Sequence, residues 1–178
     1  MSAGVVDATG AWDVTMLRGL GFRGFRSVSH LERTKCLELP VERGVYVVIR
    51  DSDEPPMFLA CSVAGWFRRQ DPSVAVDVLE GKWVAGARVL YFGRAGGPGV
   101  RARLQQRVKR YLRFGQGKAV GSAGGRFVWQ LRDHQALQIA WLPTPDQEPA
   151  MVESGLLDGF HRRYGRLPFA NLGTEAAQ

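Results

Sequence analysis

Hydrophobic positions along this chain fall into a few short runs separated by polar or glycine-rich stretches. Residues 44–49 (GVYVVI) are continuously apolar, β-branched and aromatic, which predicts a buried strand. A turn at 51–56 follows, then a second apolar run at 57–63, predicted to pair with the first as a hairpin extension. Residues 64–87 read as an irregular insert containing Trp66, Phe67 and Trp83. The run at 88–93 (RVLYFG) predicts another strand, ended by the glycine-rich stretch 95–99. Helical spacing then takes over at 100–114, where Val100, Leu104, Val108 and Tyr111 form an apolar stripe and Gly115 and Gly117 supply the stop. A glycine link at 121–125 leads to a short helical or turn-like piece at 126–133. A last strand is predicted at 136–142. Prolines at 143, 145 and 149 bracket a loop before a helix at about 150–164. The order strand, strand, helix, short element, strand, helix predicts an α+β domain: a small antiparallel sheet flanked by helices. Residues 1–43, with glycines at 19, 21 and 24 among Phe22, Arg23, Phe25 and Arg26, read as an N-terminal extension supplying a strand or loop that covers one edge. The domain proper is placed at 44–172, and 173–178 as a frayed tail.

Composition sharpens this picture. With 178 residues, 45% of them hydrophobic, the chain can bury a core within one domain. Lys and Arg number 24 against 17 acidic residues, a net +7, which suits a phosphate-bearing partner or an anionic surface. No apolar run approaches the roughly 20 residues of a membrane span. The two cysteines, Cys36 and Cys61, form no metal-ligand spacing and point to a reduced, cytoplasmic setting. His30, His134 and His161 show no metal spacing either.

Two features carry candidate chemistry. The stretch 100–113 holds Arg101, Arg103, Arg107, Lys109, Arg110 and Arg113 and no acidic residue. At about 100° per residue, Arg103, Arg107 and Arg110 share a face. Like charges at this spacing cost an isolated helix a few tenths of a kcal/mol per pair. Phosphates would supply the missing negative charge; a solvated basic face is the plain alternative. On the last helix, Glu153 lies within a face formed by Leu156, Leu157 and Phe160. A carboxylate there needs an arginine, a hydrogen-bond network or a metal ion. Glu148 is the rival carboxylate, in the proline-bracketed loop.

Gly44-Val45-Tyr46, Tyr91-Phe92-Gly93, the arginine helix, Glu153 and Asn171 within 167–172 occur in an order that resembles the GIY-YIG nuclease superfamily. The stretch from Gly93 to Leu112 is similar to the nuclease domain of the bacterial excision-repair incision subunit, with Arg94 where that branch carries a lysine. The resemblance implies metal-dependent hydrolysis of phosphodiesters in DNA, with RNA left open as a substrate. It makes Tyr46 the residue that positions and deprotonates water, helped by nearby arginines. It makes Arg107 the stabiliser of the transition state and Glu153 the ligand of Mg²⁺ or Mn²⁺. Tyr91 and Tyr111 would orient phosphate or water, and Asn171 would fix the geometry. Arg94, Arg101, Arg103, Lys109, Arg110 and Arg113 are the expected nucleic-acid contacts. Two departures stand out: the triplets are separated by an insert at 50–87, and the loop at 94–100 is long, which makes Arg103 a competing catalytic arginine. A non-catalytic nucleic-acid-binding module and a protein-interaction domain built on Trp66, Phe67 and Trp83 are the alternatives. Specificity would rest on residues 1–43, the insert, a partner protein or a homodimer.

Overall fold

The apolar run Gly44–Ile49 (β2) lies at the centre of the molecule, and each of its six residues is buried. A computed structural model describes residues 10–99, 101–121 and 124–173. β2 pairs antiparallel with Val89–Ala95 (β3) on one side and with Gln138–Pro143 (β4) on the other. Arg23–Ser27 (β1) pairs with β4, so the four-stranded sheet runs β1-β4-β2-β3 and β3 is an edge strand. Alternation along β2 divides its side chains between two cores. Tyr46 and Val48 join Leu104, Val108 and Tyr111 of Leu104–Gly115 (α4). Val45, Val47 and Ile49 join Phe92 and, from Pro149–Tyr164 (α5), Leu156 and Phe160. The result is an α+β domain with helices on both faces of an antiparallel sheet. Val14–Gly19 (α1), Val28–Arg33 (α2) and Val76–Lys82 (α3) are short additions.

The ends of α5 follow from its sequence. Pro149 stands in the first turn, where its missing N–H costs nothing, and Gly165 ends the helix in the left-handed conformation. The arginine helix begins later than its periodicity suggested. Arg103 is the N-cap of α4, so Arg101 and Arg103 belong to the approach rather than to the helical face; Val100 lies outside the described residues. The cause is visible in the backbone: Leu104 N donates to Glu42 O (2.9 Å) and Gln105 N to Pro40 O (3.2 Å), so the loop at 40–42 satisfies the free donors of the first turn.

The predicted strand at 57–63 does not form. Its apolar residues lie instead against the 3₁₀ turn Arg126–Gln130, with one isolated bridge between Phe58 and Leu131. Leu59 N donates to Gln130 O (2.8 Å) and Arg132 N to Met57 O (2.8 Å). The buried Gln130 side chain completes the attachment. Its Nε2 donates to Leu59 O (2.9 Å) and Val74 O (2.7 Å), and its Oε1 accepts from Val74 N (3.1 Å). The insert is therefore fastened to the domain by Gln130, by backbone bonds such as Arg50 N to Arg88 O (2.9 Å) at its base, by Arg166 Nη2 donating to Gly81 O (2.6 Å), and by burial of Ala64 and Leu79 in the core.

Candidate active site

Tyr46 and Tyr91 meet because of strand register. Tyr46 lies opposite Gly93, and Val48 opposite Tyr91, so both tyrosines face α4. Tyr111, on the apolar stripe of α4, completes a trio whose ring centroids are 6.0 Å (Tyr46–Tyr91), 5.9 Å (Tyr46–Tyr111) and 5.8 Å (Tyr91–Tyr111) apart. The two triplets interlock. A Cβ at position 93 would lie 2.5 Å from Tyr46 Cζ and 2.6 Å from its hydroxyl. The glycine of the second triplet thus makes room for the tyrosine of the first. On the other side, a Cβ at Gly125 would lie 2.9 Å from Tyr91 Cδ1 and 2.8 Å from the Tyr111 hydroxyl.

Charged groups act on two of the three tyrosines. Arg107, half-buried on α4, acts on Tyr46 as a positive charge and as a hydrogen-bonding neighbour, and on Tyr91 as a charge. Glu153 and Arg94 also act on Tyr91. Arg94 follows Gly93 and so points to the opposite face of β3, where its Nη1 donates to Glu153 Oε2 of α5. The Glu153 side chain is only 14% exposed, that of Arg94 52%. Tyr46, Tyr91 and Arg107 therefore share the α4 face of the sheet, while Arg94 and Glu153 pair on the α5 face of β3 and act on Tyr91 as charges.

Burial decides the ionisation of the tyrosines. It pushes Tyr46 well above the ordinary phenol value of 10.0; Tyr91 adds to the rise, and Arg107 opposes it without overcoming it. The expectation that nearby arginines would lower Tyr46 is therefore corrected, because desolvation outweighs a single half-buried guanidinium. Tyr91 is also raised, by burial first, with Arg107 opposing and Glu153 adding. Tyr111 is raised well above 10.0 by burial and by its two neighbours. All three favour their neutral form more in the folded than in the unfolded chain. Their contribution to stability is complete below the unfolded value near 10 and is lost as pH rises above it. Each tyrosine that ionises only on unfolding removes about 1.4 kcal/mol per pH unit. Thermal melts are expected to hold Tm steady with respect to these groups up to about pH 10 and then show a steep fall; a Tm that stays flat well above that value would mean the trio is solvated.

The remaining predicted residues are placed differently. The Tyr111 hydroxyl is committed to Gly125 O, to which it donates (2.9 Å), and so is not free to donate to a phosphate. Asn171 clamps the backbone of the edge strand: its Oδ1 accepts from Phe92 N (2.8 Å) and its Nδ2 donates to Phe92 O (2.9 Å). Ala170 N adds a bond to Leu90 O (2.8 Å). The segment 167–172 thus covers the open edge of β3 and fixes the strand that carries Tyr91, Gly93 and Arg94. Arg101, Arg103, Lys109, Arg110 and Arg113 are exposed. Of the two competing arginines, Arg107 is the one whose charge acts on Tyr46, whereas Arg103 caps the helix. Glu148 is held by Arg43 Nη1 (2.8 Å) and takes no part in the cluster. Arg43 escaped the sequence reading, although it directly precedes the first triplet. It lines an open cleft with Gly97, Gly99, Arg101 and Arg103.

Metal binding can be judged from the donor set. Among the described residues, no three His, Cys, Asp or Glu side chains converge. A nitrogen- or sulfur-rich zinc site does not fit. Glu153 alone offers a hard carboxylate, which suits Mg²⁺ or Mn²⁺, ions that keep several waters and take further oxygens from substrate phosphate. Arg94 contacts Glu153 Oε2, so an ion there competes with, or shares the carboxylate with, that guanidinium. Among the described residues, no helix is long and apolar enough to cross a membrane. No family model, curated protein or solved structure matches this chain.

Proposed function

We propose that the protein is a divalent-metal-dependent endonuclease that hydrolyses phosphodiester bonds in DNA. The observation that carries this reading is the clustering of Tyr46, Tyr91 and Arg107 on one face of the sheet, with Glu153 close enough to act on Tyr91, beside a helix whose exposed side chains include Lys109, Arg110 and Arg113. Phosphate would be drawn by the exposed arginines and held by Arg107, whose charge-assisted hydrogen bonds strengthen as the phosphorus becomes pentacoordinate. Tyr46 Oη would accept a hydrogen bond from the attacking water and, in the step itself, its proton. Its raised pKa makes the phenolate rare but strongly basic, and Arg107 is the group that favours it. Tyr91 would orient the water from the neighbouring position. Asn171 and Tyr111 would act as positioning residues, one through the backbone of β3 and one through ring packing and Gly125. Glu153 would hold the divalent ion, which when bound polarises the phosphate and neutralises charge on the leaving oxygen.

A second reading, a nucleic-acid-binding module without catalysis, has one observation in its favour: Glu153 is already paired with Arg94. Incubating purified protein with supercoiled plasmid and Mg²⁺, Mn²⁺ or EDTA separates the two. The nuclease reading expects nicked and linear DNA with either metal and none with EDTA. Intact plasmid under every condition, with binding that weakens steeply as salt rises, selects the module.

A further inference from the structure

The insert carries an unusual turn. Gln70 N donates to Phe67 O (2.9 Å), and Phe67 and Gln70 form an isolated antiparallel bridge. The two central residues, Arg68 and Arg69, both have left-handed backbones, with φ of 51° and 62°. A two-residue turn with positive φ at both positions is ordinarily filled by Asn and Gly, because other side chains are strained there. Two arginines at its tip are a poor choice for folding, and such strain persists where the side chains serve another purpose. Beside them Trp66 is 59% exposed, one of the largest apolar side chains on the surface. The Arg68 guanidinium lies 5.2 Å from the centroid of the Phe67 ring, which stiffens the tip.

The turn is docked next to the candidate active site. Gly65 N donates to Phe114 O at the end of α4 (2.8 Å). The Phe67 ring packs at Gly121, where a Cβ would lie 3.0 Å from it and 3.2 Å from an Arg110 Nη. Arg110 follows Arg107 by three residues, a rise of about 4.5 Å along the helix. A path of positive charge thus runs from the tyrosine trio through Arg107 and Arg110 to Arg68 and Arg69, with an exposed indole at its end. The adjoining carboxylate, Asp71, accepts from Ser73 N (2.8 Å).

We infer that the turn Trp66–Arg69 is a stacking contact for an unpaired nucleic-acid strand: Trp66 stacks on a base of the strand while Arg68, Arg69 and Arg110 hold phosphates between it and the candidate active site. An exposed aromatic ring flanked by arginines suits a single strand, since its bases offer free faces that a duplex hides. The inference rests on the nuclease reading for its class of ligand and adds a substrate preference: single-stranded or locally unpaired DNA over plain duplex.

Fluorescence anisotropy with a short labelled single strand and the matching duplex, in EDTA, tests it on the full chain. Trp66→Ala is expected to weaken single-strand binding about tenfold and duplex binding much less, while Trp66→Phe keeps most of the affinity. Arg68→Ala combined with Arg69→Ala should lower the salt dependence of single-strand binding. Because Trp66 is exposed, the variants should fold, and a matching circular dichroism melt checks this. Unchanged single-strand binding by Trp66→Ala overturns the inference and leaves the indole as a protein-facing surface. An equal loss on both substrates overturns it as well. The wild-type plasmid assay keeps the readings apart: nicking without any Trp66 effect sinks only the stacking contact, and a Trp66 effect without nicking sinks only the nuclease.

Discussion

Glu153→Ala is expected to reduce plasmid cleavage by about a hundredfold or more while leaving the protein folded. The carboxylate acts on Tyr91 and is the hard oxygen donor at the cluster, so its removal deletes the proposed metal ligand. The structural cost is small. Glu153 is paired with Arg94, whose side chain is half exposed, and a pair of that kind contributes about 1 kcal/mol or less. Metal-free binding to DNA should hold steady or tighten, because Arg94 is released and one negative charge is gone. The combination of lost cleavage, retained Tm and retained binding distinguishes a missing ligand from a damaged fold. Full cleavage by the alanine variant would remove Glu153 from the mechanism.

Gly93→Ala is expected to damage stability and activity together. The added Cβ would lie within 2.7 Å of three Tyr46 atoms. The Tyr46 ring has nowhere to go, being buried and flanked by Tyr91 at 6.0 Å and Tyr111 at 5.9 Å. Overpacking of this kind costs about 3 kcal/mol, which lowers Tm by roughly 6–12 °C in a domain of this size. A Tyr46 hydroxyl displaced by about 1 Å would cost a further hundredfold in rate. Gly155→Ala is the control: it lies in α5, meets nothing within 4 Å, and replaces a helical glycine by a better helix former. A Gly93→Ala protein with wild-type Tm would show that the triplets do not interlock as described.

What could be read from the sequence depended on whether a signal was local. The strands carrying Tyr46 and Tyr91 were legible because their runs are continuously apolar and bounded by turn residues, and α5 because proline and glycine mark its ends. The segment 57–63 misled because its apolar residues specify burial but not a partner, and the partner turned out to be the 3₁₀ turn and Gln130 rather than β2. The start of α4 was misplaced because the loop at 40–42, distant in sequence, caps its first turn. The candidate site was chosen from residue types and their order alone. Its electrostatics were not legible there: the pairing of Arg94 with Glu153 joins β3 to a helix distant in sequence, and the upward shift of Tyr46 follows from its burial beside the rings of Tyr91 and Tyr111. The docking of Phe67 beside Arg110 likewise has no sequence signature, although the exposed Trp66 stood out in the insert.

The central claim, that phosphodiester cleavage is organised around Tyr46, is tested most directly by the plasmid nicking rate of Tyr46→Phe beside wild type. The substitution removes one oxygen and keeps the ring that fills the space over Gly93, so the protein should remain folded. The account predicts a loss of about a hundredfold or more, the range expected when a group that accepts the proton of water is removed. Nicking by Tyr46→Phe at the wild-type rate would contradict it.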